Sequence, residues 1–298
     1  MGRNLCSKKK GGAINRLILG TANFGQDYGA TNQRGEVSCD EIRAILEQCL
    51  EEGITHLDTA QAYGQAEEKL GRIGLRGFLI TTKISLQPGE NPALVQEKVR
   101  LSMDRLQVNR IENLLLHNEE GITASADAGA VASALLEIRS RGLAKRVGLS
   151  SYDPSSAMEL CVKYGFNVVQ LPVNLLDRRL FEGNLLQRFL AAGVEVQARS
   201  VFLQGILLGT PRCGLSVPKR VIDESCLFRS QCQAQGIDPL GAALSHLLAA
   251  PSALKIVIGV TGCDELKEII QALLDAHFPK KYAPPAWRQE FDPRTWLK

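Results

Sequence analysis

The sequence predicts a single-domain (β/α)8 barrel, also called a TIM barrel, of the α/β class. Short apolar runs alternate with amphipathic stretches along the whole chain, and such alternation is typical of a parallel sheet with right-handed crossovers. Eight strand–helix units can be counted over roughly 260 residues, close to the usual length of this barrel. An open doubly wound sheet is the competing arrangement, but the chain lacks the GxGxxG fingerprint of dinucleotide binding in such sheets.

The individual elements follow from apolar spacing and from start and stop signals. The predicted strands cover residues 16–20, 55–60, 78–83, 112–117, 144–150, 167–171, 193–200 and 255–260. The predicted helices cover residues 39–53, 66–74, 91–106, 124–141, 154–164, 184–192, 239–250 and 264–276. In the first helix Ile42, Ile45 and Leu46 recur at helical spacing. The third helix opens with Asn91 as its cap and Pro92 as its first residue.

The barrel is predicted to span residues 16–278, between an N-terminal tail at 1–15 and a C-terminal tail at 279–298. One interval, 201–238, is too long for a simple connection, and we interpret it as an extended βα loop because it is rich in Gly and Pro. Loops of that length tend to be functional. Four aromatic residues of the C-terminal tail either line the site or, as is more common, pack the tail onto the barrel: Tyr282, Trp287, Phe291 and Trp296.

Composition and charge are those of an ordinary globular protein, with 45% hydrophobic and 22% charged residues. A net charge of +3 is too small to indicate a nucleic-acid partner, no apolar run has the length of a membrane span, and no signal peptide is visible. The eight cysteines are scattered without CxxC or zinc-ligand spacing. We therefore expect reduced thiols, no metal site and a cytoplasmic location. We also expect a monomer or a weak homo-oligomer.

Four polar residues stand at or just beyond the ends of consecutive predicted strands: Asp58, Tyr63, Lys83 and His117. In a (β/α)8 barrel the active site lies on that face, so one cavity can receive all four. An ammonium lowers the pKa of a neighbouring phenol, and a carboxylate holds the ammonium in place. Histidine supplies a second hydrogen bond to a polarised oxygen. The set therefore suits protonation of a carbonyl that is being reduced by hydride.

Each of these residues has a duller explanation when it is taken alone. A carboxylate at a strand end is often a helix cap, and a single histidine is often a hydrogen-bonded core residue. Their joint placement on one face weakens those explanations. The rival interpretation among enzymes is a barrel isomerase or lyase in which Lys83 forms a Schiff base.

The segment GITHLDTAQAYGQAEEKLG at 53–71 resembles the strand-two signature of the aldo-keto reductase superfamily, particularly its bacterial branch. The similarity extends from LILGTANFG at 17–25, through GLAKRVGLSSYDP at 142–154, to VFLQGILLG at 201–209. It implies an NAD(P)H-dependent oxidoreductase that interconverts an alcohol and a small-molecule carbonyl, which is an aldehyde, a ketone or a sugar. The alternative is a regulatory or interaction protein that binds the cofactor on the same fold.

The resemblance also implies a role for each of the four polar residues. Tyr63 is the general acid, and Lys83 is the partner that lowers its pKa. Asp58 pairs with Lys83, and His117 orients the substrate carbonyl. The positions that it implies for cofactor binding are Ser150, Ser151, Gln170, Arg199, Ser200, Phe202, Leu203, Gly205, Gly259, Thr261 and Glu265. Among these, Ser150 and Gln170 hold the nicotinamide carboxamide.

Two positions depart from the family pattern. Arg199 stands where many members place an aromatic ring against the nicotinamide. Because oxidised nicotinamide is cationic, we expect this arginine to favour the reduced cofactor. Glu265 lies near the place where relatives grip the adenosine 2′-phosphate, and a carboxylate there repels a phosphate. NADP(H) is therefore expected only as the usual cofactor of the family, with NAD(H) as the alternative.

Overall fold

The computed structural model describes residues 12–87, 90–125, 127–274 and 276–296, and most of the predicted N-terminal tail lies outside them. Eight parallel strands form a closed barrel in which each strand pairs with its neighbours in sequence and β1 pairs with β8. The strands are β1 Leu17–Gly20, β2 His56–Asp58, β3 Leu79–Ile84, β4 Ile111–Leu116, β5 Ala144–Ser150, β6 Val168–Pro172, β7 Glu195–Arg199 and β8 Lys255–Gly259. The predicted fold class is confirmed.

A helix follows each strand and packs on the outside of the barrel. These helices are α1 Cys39–Glu52, α2 Ala66–Ile73, α3 Leu94–Leu106, α4 Ala128–Ser140, α5 Pro154–Tyr164, α6 Leu185–Ala191, α7 Pro239–Leu248 and α8 Cys263–Leu274. Among the described residues, no helix combines the length and the apolar character needed to cross a membrane.

Local sequence signals set the helix boundaries. At the start of α1, the Ser38 hydroxyl accepts a hydrogen bond from the Glu41 amide at 3.3 Å, and the helix ends at Gly53 with φ of 84°. Glycine adopts this left-handed conformation without the steric cost that a side chain brings. Helices α5 and α7 both begin with an Asp-Pro pair, in which the carboxylates of Asp153 and Asp238 accept from backbone amides of the first turn.

Two predicted helices differ from the observed ones at their starts. Helix α3 begins at Leu94 rather than at residue 91, because the Asn91 side chain accepts from the Ala93 amide at 2.9 Å and closes a turn before the helix. The predicted helix at 124–141 begins only at Ala128, where Asp127 caps it, and a separate short helix precedes it.

The interval 201–238 is not loop throughout, contrary to the expectation. Its second half is a helix at Lys219–Ala234, which we call the insertion helix. All of the Gly and Pro residues in the interval except Gly236 lie before this helix. Its buried face contains Ser225 and Cys232 beside Val221 and Phe228, and this mixed stripe weakens the apolar periodicity on which the prediction relied.

The insertion helix and the C-terminal tail share a second hydrophobic core beside the barrel. Phe228 of the insertion helix contacts Tyr282 with ring centroids 5.2 Å apart, and Phe291 is buried in the same core. Trp287 and Trp296 pack against it. The four tail aromatics therefore attach the tail to the barrel, which was the more common of the two roles expected for them.

Candidate active site

A cavity of about 540 Å³ opens at the carboxyl ends of the strands. Its wall includes three of the four predicted catalytic residues, which are Asp58, Tyr63 and Lys83. It also includes nine of the eleven predicted cofactor positions, namely Ser150, Gln170, Arg199, Ser200, Phe202, Gly205, Gly259, Thr261 and Glu265. The structure therefore brings both predicted groups to one site.

Lys83 is the centre of the predicted catalytic group and lies within β3 with only 1% of its side chain exposed. Its Nζ donates to both carboxylate oxygens of Asp58 at 2.7 Å and to the carbonyl oxygen of Thr59 at 3.0 Å. It also lies 3.3 Å from the Tyr63 hydroxyl, to which it donates. A buried carboxylate thus fixes an ammonium beside a phenol that faces the cavity.

The protonation states in this group follow from burial. Burial lowers the pKa of Lys83, and the neighbouring Asp58 carboxylate opposes that effect. Burial raises the pKa of Tyr63 above its ordinary value, Asp58 adds to the rise, and Arg199 opposes it. Burial thus dominates the Tyr63 pKa, and the lowering expected from Lys83 does not reverse the rise. The phenol keeps its proton at neutral pH, as a proton donor must.

Two glycines fix the loop that carries Tyr63. A Cβ at Gly25 would lie 1.9 Å from the Tyr63 carbonyl oxygen, and a Cβ at Gly64 would lie 2.0 Å from the Gly25 carbonyl oxygen. Gly64 also has φ of 55°, in the left-handed region. The loops after β1 and β2 therefore touch backbone to backbone, and neither position has room for a side chain.

His117 lies just past β4, where its backbone amide donates to the Ile84 carbonyl oxygen at 2.8 Å. Its imidazole meets the Tyr63 ring edge-on, with centroids 5.7 Å apart and an interplanar angle of 90°. Burial lowers the pKa of His117 to about 3, with further lowering by Lys83 and Arg199. The imidazole is therefore neutral and adjoins the phenol.

A chain of buried amides supports Asp58 from inside the barrel. Gln170 Nε2 donates to Asp58 Oδ1 at 2.7 Å and to Gln197 Oε1 at 3.1 Å. Gln197 donates in turn to Glu195, which also accepts from Asn113. Both N–H groups of the Gln170 amide are thus used, and its buried Oε1 has no hydrogen-bond partner among the described residues. An unpaired buried acceptor is costly unless a ligand satisfies it.

Arg199, at the end of β7, connects several of the predicted cofactor positions. Its guanidinium donates to the Ser150 hydroxyl at 3.2 Å, to the Ser200 hydroxyl at 3.3 Å and to the Ser151 carbonyl oxygen at 3.3 Å. Its Cζ lies 4.0 Å from the centroid of the Tyr152 ring. Across the described part of the chain, no carboxylate forms an ion pair with Arg199.

The remaining predicted positions, Ser151 and Leu203, do not face the cavity. The Ser151 hydroxyl donates to Glu119, in the loop after β4, at 2.6 Å and to the Asp153 carbonyl oxygen, in its own loop, at 3.1 Å. Leu203 is buried in the second core. The short serine side chain reaches these partners but does not line the cavity wall.

The loop after β7 has an unusual backbone. Ser200, Leu203 and Gln204 have φ of 56°, 49° and 55°, although none of them is glycine. Gly205 has φ of 91°, and a Cβ there would lie 1.9 Å from Thr31 Oγ1. Backbone strain of this kind is concentrated at ligand-binding sites. It therefore agrees with the predicted role of this loop in holding a ligand.

The end of the cavity beside α8 is acidic. Glu265 and Glu268 both line it, and Glu265 Oε2 accepts from the Thr261 amide at 2.6 Å. Arg34 also lies there, but Asp264 binds its guanidinium through two hydrogen bonds of 2.8 and 2.5 Å. The local basic residue is thus already paired with a carboxylate.

Sequence reasoning missed several residues of the cavity wall, of which Tyr28, Tyr152 and Arg34 are the most important. Tyr152 carried a usable signal, since it follows the end of β5 by two positions. Tyr28 and Arg34 lie in the long segment between β1 and α1, and nothing in their local sequence shows that this segment folds over the cavity.

Comparison with known protein families identifies the family to which a protein with this site belongs. The model of the Aldo/keto reductase family matches residues 16–282 of the chain. The chain belongs to the aldo/keto reductase family. It is therefore an oxidoreductase that interconverts carbonyl and alcohol groups, in a family that uses nicotinamide cofactors.

Individual relatives of this aldo/keto reductase are distant but cover most of its length. An L-glyceraldehyde 3-phosphate reductase of Escherichia coli is 27% identical over 80% of this chain and 80% of the relative. An NADH-specific methylglyoxal reductase of E. coli is 24% identical over 87% of this chain and 90% of the relative. The solved holo form of an aldo-keto reductase from Bacillus halodurans superposes with a TM-score of 0.70 at 23% identity, covering 93% of this chain and 90% of that one. This last likeness shows the fold.

Proposed function

We propose that this aldo/keto reductase reduces a small carbonyl compound with a nicotinamide dinucleotide, and that Tyr63 donates the proton. The observation that carries the proposal is the buried chain in which Asp58 holds Lys83 and Lys83 contacts the Tyr63 hydroxyl, at the wall of a cavity. The bound dinucleotide supplies the hydride. The side chains position the carbonyl and handle its proton.

The protein groups fit a nicotinamide carboxamide at one place. The buried Gln170 Oε1 lacks a donor, and the NH2 of a primary amide satisfies such an acceptor. The Ser150 hydroxyl lines the cavity at the end of the neighbouring strand and is available to the carboxamide oxygen. The loop at 200–205 and the α8 end of the cavity then remain for the pyrophosphate and the adenosine.

The proton pathway follows from the short contacts around Tyr63. The phenol transfers its proton to the carbonyl oxygen as negative charge develops there, and the ammonium of Lys83 stabilises the phenolate left behind. Asp58 keeps that ammonium charged and in place. His117, as a neutral imidazole beside the phenol, orients the carbonyl.

The acidic end of the cavity favours NAD(H) over NADP(H). Glu265 and Glu268 repel a 2′-phosphate, whereas a carboxylate accepts a hydrogen bond from a ribose 2′-hydroxyl. Arg34 is held by Asp264 and offers little compensation. A relative named as an NADH-specific methylglyoxal reductase makes this choice reasonable within the family. NADP(H), the usual cofactor of the family, is the alternative.

The substrates named for the two E. coli relatives described above are small aldehydes, namely L-glyceraldehyde 3-phosphate and methylglyoxal. We therefore propose short-chain aldehydes and 2-oxoaldehydes as the first substrates to test, before larger ketones and sugars. A cytoplasmic monomer or weak homo-oligomer completes the proposal, with the seven described cysteines all unpaired.

The Schiff-base alternative is disfavoured by the contacts of Lys83. A nucleophilic amine needs a free lone pair. Lys83 Nζ instead donates to Asp58, to Thr59 and to Tyr63 in a buried site. Borohydride in the presence of an aldehyde should leave Lys83 unmodified, as mass spectrometry of the digested protein can check.

The decisive experiment is a turnover assay with NADH and NADPH, using short aldehydes, 2-oxoaldehydes, ketones and sugars. Wild-type protein should oxidise the reduced cofactor in the presence of at least one carbonyl and form the corresponding alcohol. A protein that binds the cofactor tightly but turns over none of these compounds would instead support the regulatory alternative.

A further inference from the structure

Three side chains from distant parts of the chain form a stack that begins at the cavity wall. Arg199 Cζ lies 4.0 Å from the centroid of the Tyr152 ring, and Arg294 Cζ lies 3.7 Å from the same centroid. Tyr152 is thus held between two guanidinium groups. Arg199 and Tyr152 line the cavity, whereas Arg294 belongs to the C-terminal tail.

The tail presents Arg294 in a fixed position. Asp292 binds the Arg294 guanidinium through Nε at 3.0 Å and Nη2 at 2.7 Å, and only 8% of the Asp292 side chain is exposed. The preceding Phe291 is buried in the second core. The outer layer of the stack is therefore anchored in the core that joins the tail to the barrel.

The two arginines differ in how their charge is compensated. Arg294 is paired with Asp292, whereas Arg199 has no ion pair with any carboxylate in the described ranges. Hydrogen bonds to Ser150, Ser200 and Ser151 use the edge of the Arg199 guanidinium, and Tyr152 covers one of its faces. The other flat face of the Arg199 guanidinium is left for the cavity, and no described carboxylate neutralises its charge.

We propose that Arg294 and Tyr152 are positioning residues that hold the Arg199 guanidinium flat against the nicotinamide ring. The proposal rests on the proposed function, in which Ser150 and Gln170 bind the carboxamide. Because Ser150 also bonds to Arg199, a ring attached to that carboxamide lies beside the guanidinium. A positive charge there disfavours the cationic oxidised ring. The C-terminal tail thereby strengthens the preference for the reduced cofactor.

The test is the ratio of the dissociation constants of NAD⁺ and NADH, measured by calorimetry so that no turnover is needed. Arg199→Ala should lower this ratio on the order of tenfold, since the charge itself is removed. Arg294→Ala and Tyr152→Leu should each lower it about two- to fivefold, the size of one partly exposed cation–π contact. Tyr152→Phe keeps the ring and should keep the wild-type ratio.

Arg220→Ala is the matched control, because Arg220 contacts Glu290 of the same tail at 3.5 Å and has a similar exposure to Arg294. It should leave the ratio unchanged. An unchanged ratio in Arg294→Ala, or an equal change in Arg220→Ala, would overturn the positioning role while wild-type binding and turnover leave the proposed function intact. If wild-type protein bound neither form, the proposed function itself would fail, and the positioning role with it.

Discussion

The proposed proton-donating half of the site and the proposed cofactor half are built in different ways. Asp58 and Lys83 are 4% and 1% exposed, lie within strands and bond to each other. Arg199, Ser200 and Glu265 are only half-buried and lie at a strand end, in a loop and in the first turn of α8. They bond to neighbours that a ligand can replace. Buried charges admit few arrangements because each must be paired. The catalytic half is thus fixed before any ligand binds. In the cofactor half, the half-buried groups can exchange their present partners for a ligand and so determine which cofactor binds.

Tyr63→Phe should have the largest effect on activity. It should lower the rate of reduction without weakening cofactor binding. Removal of a general acid typically costs about 10²- to 10⁴-fold in rate. The affinity for NADH should change little, because the phenol acts in the transition state. Steady-state rates and calorimetric binding measure the two quantities separately. Retention of wild-type activity would show that another group donates the proton.

Lys83→Met should have the largest effect on stability. The substitution leaves the Asp58 carboxylate buried without its partner, which costs about 3–5 kcal/mol in the free energy of unfolding. The double variant Asp58→Asn with Lys83→Met removes both charges and should regain part of that stability. It should remain inactive.

Urea denaturation of the two single variants, the double variant and the wild type provides the comparison. If the double variant were no more stable than Lys83→Met, the ion pair would not be what holds this half of the site together.

Glu265→Gln should have a smaller effect, limited to the cofactor half. Loss of one half-buried carboxylate should improve NADPH binding relative to NADH about two- to fivefold, since like-charge repulsion near the surface is modest. Glu159→Gln on the outer face of α5 removes the same charge away from the cavity and serves as the control. Equal shifts in the two variants would indicate a general effect of net charge.

The smallest expected effect concerns the pH dependence of the rate of reduction, to which His117 should contribute no decline on the acidic side. The pKa of His117 is lowered to about 3 from its ordinary 6.5, so the neutral form persists until the pH falls towards the lower value. The rate of reduction should therefore not fall between about pH 7 and pH 5 through His117. A fall with an apparent pKa near 6.5, abolished in His117→Gln, would contradict this assignment.

Much of the fold followed from the sequence because strands and helices alternate and the caps are explicit, as at Ser38 and Asp153. The candidate catalytic residues followed because each stands at or just beyond a strand end, on the face where the barrel places its active site. The stack of Arg294, Tyr152 and Arg199 did not follow, since it depends on where a tail lies after folding. The rise of the Tyr63 pKa could not be predicted for a related reason. The direction of this shift depends on burial and on the Asp58 charge, which spacing does not reveal.

The backbone contact between Gly25 and Gly64 has a consequence for redesign of this enzyme. Since neither residue leaves space for a side chain, the loops after β1 and β2 form one structural unit. A graft that replaced only one of these loops would have to preserve its close backbone contact with the other loop. Otherwise Tyr63 would shift. Libraries aimed at new substrates should therefore vary these two loops as a pair and keep both glycines.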